Sequence, residues 1–418
     1  MQSRISKNLD GVKTGTLYVG IDLGLDRNEA LVIDSRARQL DRLGFPHSRH
    51  GYDYLLRRLK AIQDKHQSPA VLVGMEPTNY FWKLLASFLE QQKVSYCLVN
   101  AYTVKKHREG DQLDRSKDDT RDAFMIADLL RTGKYTRTQL LHGGYAELRT
   151  YSTLYDQVRR DIRRHKTILR TVVMQLFPEL CLVFKDLTGY TAMAVLRDHA
   201  SAIAVRELSQ EAFIARVRAH FVGKRLMVSK LCRVHVLAAN CIGVQDSLRA
   251  LQETARIQID ALVLLRRQFD TVCAALVDTL KTLPEAPYLL SMHGLGKVQA
   301  AIILGEIGDP SRYQNAGQLI KLAGTQPTPN SSGRKNKGLT PISRKGRPRL
   351  RTALYFSVMC LIRVDDAFAR EHLRLQTRRK NPLTKMQSIG ALMNKLLRSL
   401  WSLMRNRALY QPDLQQGD

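Results

Sequence analysis

Four acidic side chains stand where they could act together. Asp22 lies in "VGIDLG", where an apolar strand would hold its carboxylate rigidly at the centre of a sheet. Glu76 closes "VLVGMEP", a second apolar strand that Pro77 should terminate. Asp119 and Asp122, in "SKDDTRDAFMIADLL", are three residues apart on an amphipathic helix and share a face, whereas Asp118 points elsewhere. Two strands and a helix can thus deliver four carboxylates to one place. Such a group repels itself unless a cation neutralises it, and hard oxygen ligands suit Mg²⁺ or Mn²⁺. Two such ions about 3.5–4 Å apart can activate a nucleophile and stabilise a leaving oxygen on phosphate. The competing reading makes each acid a surface residue paired with a neighbour such as Lys117 or Arg121. The order of the four and the elements that carry them favour the metal.

"GIDLG" by itself is also how sugar kinases and actin-like ATPases begin, with the turn set against phosphate. That reading needs further Gly-rich phosphate loops and a second related domain, and the sequence has no clear version of either. Farther along, "HGLGKVQAAIILGEIGD" places Gly294 and Gly296 at a turn before Lys297 and an Ala-rich helix, the pattern of a helix-hairpin-helix. The amides at such a helix start can hold a nucleic-acid phosphate. The alternative is a helix–helix corner whose glycines only permit close packing. His293 reads as a surface residue rather than a catalytic one. Beyond it, "NSSGRKNKGLTPISRKGRPRLR" carries Arg334, Lys335, Lys337, Arg344, Lys345, Arg347, Arg349 and Arg351 with no acid between them. Ser331 and Ser332 precede Gly333. A serine hydroxyl attacks phosphate only if something takes its proton and charge stabilises the transition state, and guanidinium groups supply the second need. On residue types alone, a flexible basic loop is the better reading of this stretch.

The elements that must position these groups fall into three regions. Residues 1–145 alternate strand-like runs ("TLYVGIDLG", "EALVIDS", "QLDRLGF", "AVLVGMEP", "SYCLVN") with helical ones. Three close strands followed by strands separated by helices predict a mixed α/β sheet of the ribonuclease H kind. Residues 146–283 become helical. Tyr151, Tyr155, Val158, Ile162, His165, Leu169, Val172 and Leu176 keep alternating spacings of four and three, and Leu248, Leu251, Ala255, Ile259 and Leu262 do much the same. Both look like heptad seams of long helices that could pair as an antiparallel hairpin in one chain or across two. The stretch at about 180–245 is mixed and has no clear assignment. Residues 284–418 return to helices around the Gly-, Pro- and Ser-rich loop.

The totals agree with a nucleic-acid partner. Among 418 residues, Lys and Arg outnumber Asp and Glu by 66 to 38, a formal charge of +28 that favours a polyanion. A structural RNA binder would share that charge, so it does not by itself make an enzyme. The six cysteines are scattered without a CxxC pair, which argues against a zinc ribbon or disulfide framework and for small core residues. No run of apolar residues is long enough to span a membrane, and "MQSRISKNLDGVKTG" lacks the apolar centre of a signal peptide. These features predict a cytoplasmic protein.

Taken together, "YVGIDLGLDRNEALVID", "GMEPTNYFW" and "VNAYTVKKHREGDQLDRSKDDTRDAFMIADLL", followed by "HGLGKVQAAIILGEIGDPSRYQNAGQLIKLAGTQPTPNSSGRKNKGLTPISRKGRPRLRTALYF", resemble the IS110/IS1111 family of insertion-sequence transposases, which includes the Piv-type DNA invertases. The chain departs from the family with "HGLG" in place of the usual "PGIG" and Asn79 in place of a Gly. The resemblance implies a RuvC-like DEDD domain, with its acids at Asp22, Glu76, Asp119 and Asp122. It implies a C-terminal transposase domain whose serine, at Ser332 with Ser331 as the fallback, forms a transient phosphoserine link to DNA. The metal-bearing acids would activate that serine or stabilise the leaving oxygen, in a composite site shared between chains. It also implies a structured bridge RNA that pairs with donor and target DNA, a homo-oligomer (dimer or tetramer), and action at the bacterial nucleoid. Two other functions remain in view: a RuvC-like Holliday-junction nuclease using metal-activated water, and a non-catalytic RNA-binding scaffold.

Overall fold

The run "LYVGIDL" forms β1 (Leu17–Leu23), and all but one of its residues are buried because helices cover both faces of its sheet. It is followed by β2 (Asn28–Ile33), β3 (Gln39–Phe45), β4 (Val71–Met75), β5 (Tyr96–Leu98) and β6 (Thr136–Arg137). In the computed structural model these strands lie in the order β3-β2-β1-β4-β5-β6. The first three are an antiparallel meander, β4 and β5 run parallel to β1, and β6 returns antiparallel. This is the mixed sheet expected of a ribonuclease H-like domain. The structure describes the chain apart from residues 1–3, 78–79, 112–118, 220–225, 245, 329–330, 333–334, 337–340 and 413–418. It forms two compact units, 1–140 and 141–418.

Around the sheet lie α1 (Arg4–Asp10), α2 (Arg49–Lys65), α3 (Phe81–Gln91), α4 (Ala101–Asp111) and α5 (Asp119–Arg131). Strand side chains alternate between faces, so the sheet has two cores. Leu17, Val19, Ile21 and Leu23 pack with Leu55 and Leu59 of α2 and Leu85 and Leu89 of α3. Tyr18, Leu31 and Ile33 pack with Val104 of α4 and with Ala123, Ile126, Ala127 and Leu130 of α5. On that second face α5 comes very close. A Cβ at Gly20 would run into the backbone of Ala123 and Ala127, and one at Gly74 would meet Leu130 at 2.6 Å. Only hydrogen at these two positions lets the helix lie on β1 and β4.

In the second unit α6 (Gly143–Leu176) and α12 (Leu248–Lys281) are 34 residues each, or about 51 Å of helix. They pair antiparallel within the chain. Leu148 and Tyr155 share a core with Val272, Leu276 and Leu280, and Leu169 and Val172 share another with Ala255, Ile259 and Leu262. His165 Nδ1 lies 2.7 Å from Gln258 Oε1 across the pair. The unassigned stretch between them forms short helices, α7 (Leu180–Val183), α8 (Tyr190–Asp198), α9 (Ala202–Arg206), α10 (Gln210–Ala219) and α11 (Val228–Ala238). They cap one end of the hairpin. The other end joins α13 (Ala286–Leu290), α14 (Lys297–Ile307), α15 (Ala316–Ala323), the strand pair β7 (Ser331–Ser332) and β8 (Lys335–Asn336), α16 (Pro348–Val364), α17 (Asp366–Thr377) and α18 (Lys385–Asn406). The regions 146–283 and 284–418 thus share one unit, since Leu148, Leu276 and Leu289 lie in a single core with Leu396.

Of the six cysteines, all free, only Cys97 is buried and Cys360 is exposed; the other four are half-buried, so a wholly interior role holds for one of them. Burial pushes the Cys97 thiol up to about 12. No helix among the described residues is long and apolar enough to cross a membrane. Gly20→Ala should force α5 off β1 and cost about 1–3 kcal/mol, as overpacking does. Urea denaturation followed by circular dichroism checks this, and an unchanged midpoint would contradict the direct helix–strand contact.

Candidate active site

The parallel pairing of β1 with β4 sets Ile21 opposite Met75. Asp22 and Glu76, each one residue further on, therefore emerge side by side at the carboxyl ends of neighbouring strands. By alternation both belong to the face that carries Tyr18, Gly20, Leu72 and Gly74, the face covered by α5. The helix runs opposite to β1. Arg131, at its carboxyl end, is near enough to Tyr18 to act on the phenol's pKa, while Ala123 lies over Gly20. The amino end of α5, with Asp119 and Asp122, accordingly lies toward the Asp22 end of the strand. Asp122 is only 8% exposed. Asp119 begins the helix, but its side chain is outside the described residues, as is Asp118.

Asp22, Glu76 and Asp122 each have an interaction within the chain. Among the described side chains, no group of three or more His, Cys, Asp or Glu is close enough to hold a metal ion. The donor chemistry nevertheless suits a hard divalent cation, being anionic oxygen on rigid elements. The backbone brings the strand-borne pair together and turns α5 toward them.

Sequence reasoning missed three neighbours of this site. Glu29 stands opposite Asp22 across the β1–β2 pairing, and it is neutralised by Arg27 and Arg42, each at 3.3 Å. His47 lies 2.9 Å from the carbonyl of Gly24, just after β1, and its ring stacks on Phe81 at 4.2 Å, at the start of α3. It ties the loop that follows Asp22 to the helix that follows Glu76. Asp128, two turns along α5 from Asp122, is held by Arg131 at 2.6 Å and His107 at 2.8 Å. Burial would raise the pKa of Asp128, but the hydrogen bonds from Arg131 and His107 outweigh it and hold the carboxyl below its ordinary 3.8. The strand period could have revealed Glu29; nothing local marks His47 or Asp128.

In the second unit the serines lie on a β-ribbon rather than a plain loop. Ser331 pairs with Asn336 and Ser332 with Lys335. Below them Pro327 bridges to Ile342, Ser343 N–H donates to Gln326 O at 2.9 Å, and Arg344 N–H donates to Gly324 O at 3.0 Å. The side chains of Ser331, Ser332 and Lys335 are not among those described, and Arg334 and Lys337 lie outside the described residues. The outgoing foot is fixed by Thr325, whose hydroxyl donates to Asn394 Oδ1 at 2.6 Å in the interior. The returning foot is fixed by charge. Glu306 of α14 is 1% exposed and pairs with Arg349 at 2.8 Å and Arg149 at 3.5 Å. Arg347 donates to the Glu306 carbonyl, and Arg351 donates to Ala323 O at 2.8 Å. Burial draws the Arg149 pKa down, with Glu306 opposing. Three residues read as nucleic-acid contacts, Arg347, Arg349 and Arg351, thus bond to the protein itself. Arg344 and Lys345 are exposed.

Gly294 has φ +91° and packs against Leu361 and Val364 of α16, so its role in close packing is visible. Gly296 precedes α14 with open space beside it, and Lys297 and His293 are exposed. Gly294, Gly296 and Lys297 line a cleft of about 660 Å³ with Arg159, Gln299 and Phe356.

Asp128 stabilises the fold fully above its unfolded pKa, and that contribution is lost as the pH falls from 3.8 through the lower folded value. Asp128→Asn should flatten this acid limb of the stability profile, measured by urea denaturation at stepped pH. Glu306→Gln strips the half-buried Arg149 and Arg349 of their counter-charge and should cost about 3 kcal/mol; a chemical melt with no loss would show the cluster to be dispensable.

Two transposase family models match the chain. A transposase model of the DEDD, IS110 type matches residues 19–178, and one for the "IS116/IS110/IS902 family" of transposases matches residues 286–373. The putative transposase of the mini-circle IS117 from Streptomyces coelicolor is 24% identical over 77% of this chain and 78% of its own. A 43.6 kDa protein of IS110 from the same organism is 25% identical over 72% and 74%. A 44.8 kDa protein of IS116 from Streptomyces clavuligerus is 23% identical over 95% and 96%. The first model spans the sheet and its acids and the second spans the serine ribbon. The chain belongs to the IS110 family of transposases, enzymes that cleave and rejoin DNA.

Proposed function

We propose that the chain is a bridge-RNA-guided DNA transposase in which Ser332 is the nucleophile and Asp22, Glu76, Asp119 and Asp122 hold Mg²⁺ or Mn²⁺. The observation that carries this reading is the register of β1 and β4, which sets Asp22 beside Glu76 on the face that α5 covers. A DEDD domain implies a divalent metal. When bound, that ion supplies positive charge to a phosphodiester and lowers the pKa of an attacking hydroxyl.

The chain's own residues do the rest. Ser332 Oγ forms a bond to phosphorus as the bond from phosphorus to a deoxyribose oxygen breaks. The serine proton passes to a base, and the departing oxygen takes up a proton as it leaves. A hydroxyl of a second DNA strand then attacks the phosphoserine, which restores Ser332 and seals the new strand. One ester replaces another at each step, so no external energy source is needed. Arg344 and Lys345 at the foot of the ribbon, with Arg334, Lys335 and Lys337, which follow Ser332 closely in sequence, supply charge to the phosphates. Gly296 and Lys297, at the start of α14, contact backbone phosphate. Exchange between two DNA segments needs at least two nucleophiles, so the working form is a dimer or tetramer. The +28 charge is compatible with carrying both RNA and DNA.

Trapping the reaction tests this reading. Denaturing electrophoresis of the purified chain with donor DNA and Mg²⁺ should show a covalent protein–DNA adduct that Ser332→Ala abolishes and Ser331→Ala retains. Asp22→Asn should lower strand transfer by at least about a hundredfold, as loss of a major electrostatic contributor does. Turnover by Ser332→Ala without adduct would favour a nuclease using activated water. Full activity of Asp22→Asn would remove the metal site from the mechanism.

A further inference from the structure

A groove of about 860 Å³ lies along the α6–α12 hairpin where α8 crosses it, remote in sequence from the serine ribbon. Six cations line it: Arg159, Arg163 and Lys166 from α6, Arg197 from α8, and Arg266 and Arg267 from α12. Two carboxylates, Asp186 and Asp270, oppose them, which leaves a surplus of four positive charges. Lys166 is paired with Asp186 at 3.6 Å, while Arg163, Arg197, Arg266 and Arg267 are exposed. Cations gathered along one groove repel one another. An anionic occupant would relieve that repulsion.

The floor narrows the choice of occupant. Ile162, Met193 and Leu262 make it apolar, and Tyr190, 57% exposed at the start of α8, stands at the rim. The Arg266 guanidinium sits 5.9 Å from the centre of that ring. An exposed aromatic ring beside an arginine, over apolar surface and within a ring of cations, matches a nucleotide: phosphates to the charges, a base to the ring. In a duplex the base faces are stacked and hidden, so only an unpaired strand can use Tyr190. An acidic peptide would satisfy the charges and leave the ring unused.

We propose that this groove binds an unpaired nucleic-acid strand, its phosphodiester backbone held by the arginines of α6 and α12 and one base stacked on Tyr190. The proposal rests on the reading that the chain works on nucleic acid and assigns a strand-holding site outside the region of strand transfer. The strand is either a single-stranded part of an RNA or an opened stretch of DNA, which share this chemistry.

The test uses the full-length chain and labelled oligo-U, oligo-dT and a duplex of equal length, with binding read by fluorescence anisotropy over a salt series. The double variant Arg266→Gln, Arg267→Gln should bind single strands about tenfold more weakly, and its salt slope should fall by about 1.4, at about 0.7 per phosphate contact. Tyr190→Ala should cost about tenfold and Tyr190→Phe should restore binding, since the ring and not the hydroxyl is used. Lys65→Gln, on α2, serves as a charge control and should change little. Ultraviolet crosslinking of 5-iodouracil-substituted strands should map to the Tyr190 peptide. Preference for oligo-U points to RNA and preference for oligo-dT to opened DNA, and either supports the site. Unchanged single-strand affinity and slope in both groove variants would overturn it. So would an equal loss for duplex, or competition by polyglutamate as effective as by the strand. If Ser332→Ala abolishes the adduct while the groove variants bind normally, the groove falls and the strand-transfer reading stands. If the groove variants lose binding while Ser332→Ala still forms adduct, the reverse holds.

Discussion

The backbone of α5 rests directly on β1, with no side chain between them at Gly20, and the geometry of the acidic site depends on that contact. A helix normally stands about 10 Å from a sheet because side chains fill the gap. Here the glycines on adjacent strands, Gly20 and Gly74, sit opposite each other in the register and remove the spacers together. The helix sinks toward the strands, and its amino end lies toward the end of β1 that carries Asp22. Close apolar contact along the rest of α5 holds the helix down. Ala123, Ile126, Ala127 and Leu130 supply it.

The second unit solves a related problem with opposite chemistry. The β7–β8 ribbon has only two residues on each strand, too few to build a core of its own. Its two feet are therefore tied to the interior, one by the Thr325–Asn394 pair and the other by the arginines on Glu306. A carboxylate at 1% exposure is costly to bury alone, and three guanidinium groups gathered nearby are costly too. Each makes the other tolerable. Breaking the set from either side would leave buried charge, so the cluster fixes where the ribbon returns to α16 more sharply than apolar packing could.

Positive charge in this protein thus has two uses that composition cannot separate. Arg347, Arg349 and Arg351 are spent on internal hydrogen bonds at the ribbon's foot. Arg344, Lys345 and the four exposed arginines of the hairpin groove remain on the surface, where they can meet phosphate.

Local pattern was enough to identify five of the six strands of the sheet, the long helices of the hairpin and the acids worth attention. The apolar run "LYVGIDL" and the spacing from Tyr151 to Leu176 report burial directly, since each residue's exposure follows its own neighbours in sequence. The heptad seam did not say whether its partner was in the same chain; the shared cores of α6 and α12 did. The short helices between them escaped notice because four to eleven residues, some buried on several sides, leave little period to read. Tertiary structure alone decided that Asp22 neighbours Glu76, which strand register sets across more than fifty residues of chain. It alone distinguished the anchoring arginines from the exposed ones, and it alone revealed Glu306, hidden in a helix apolar on nearly every side. The reason is physical: periodicity records whether a residue is inside, but the partner that makes a buried charge or a paired carboxylate stable comes from elsewhere in the chain.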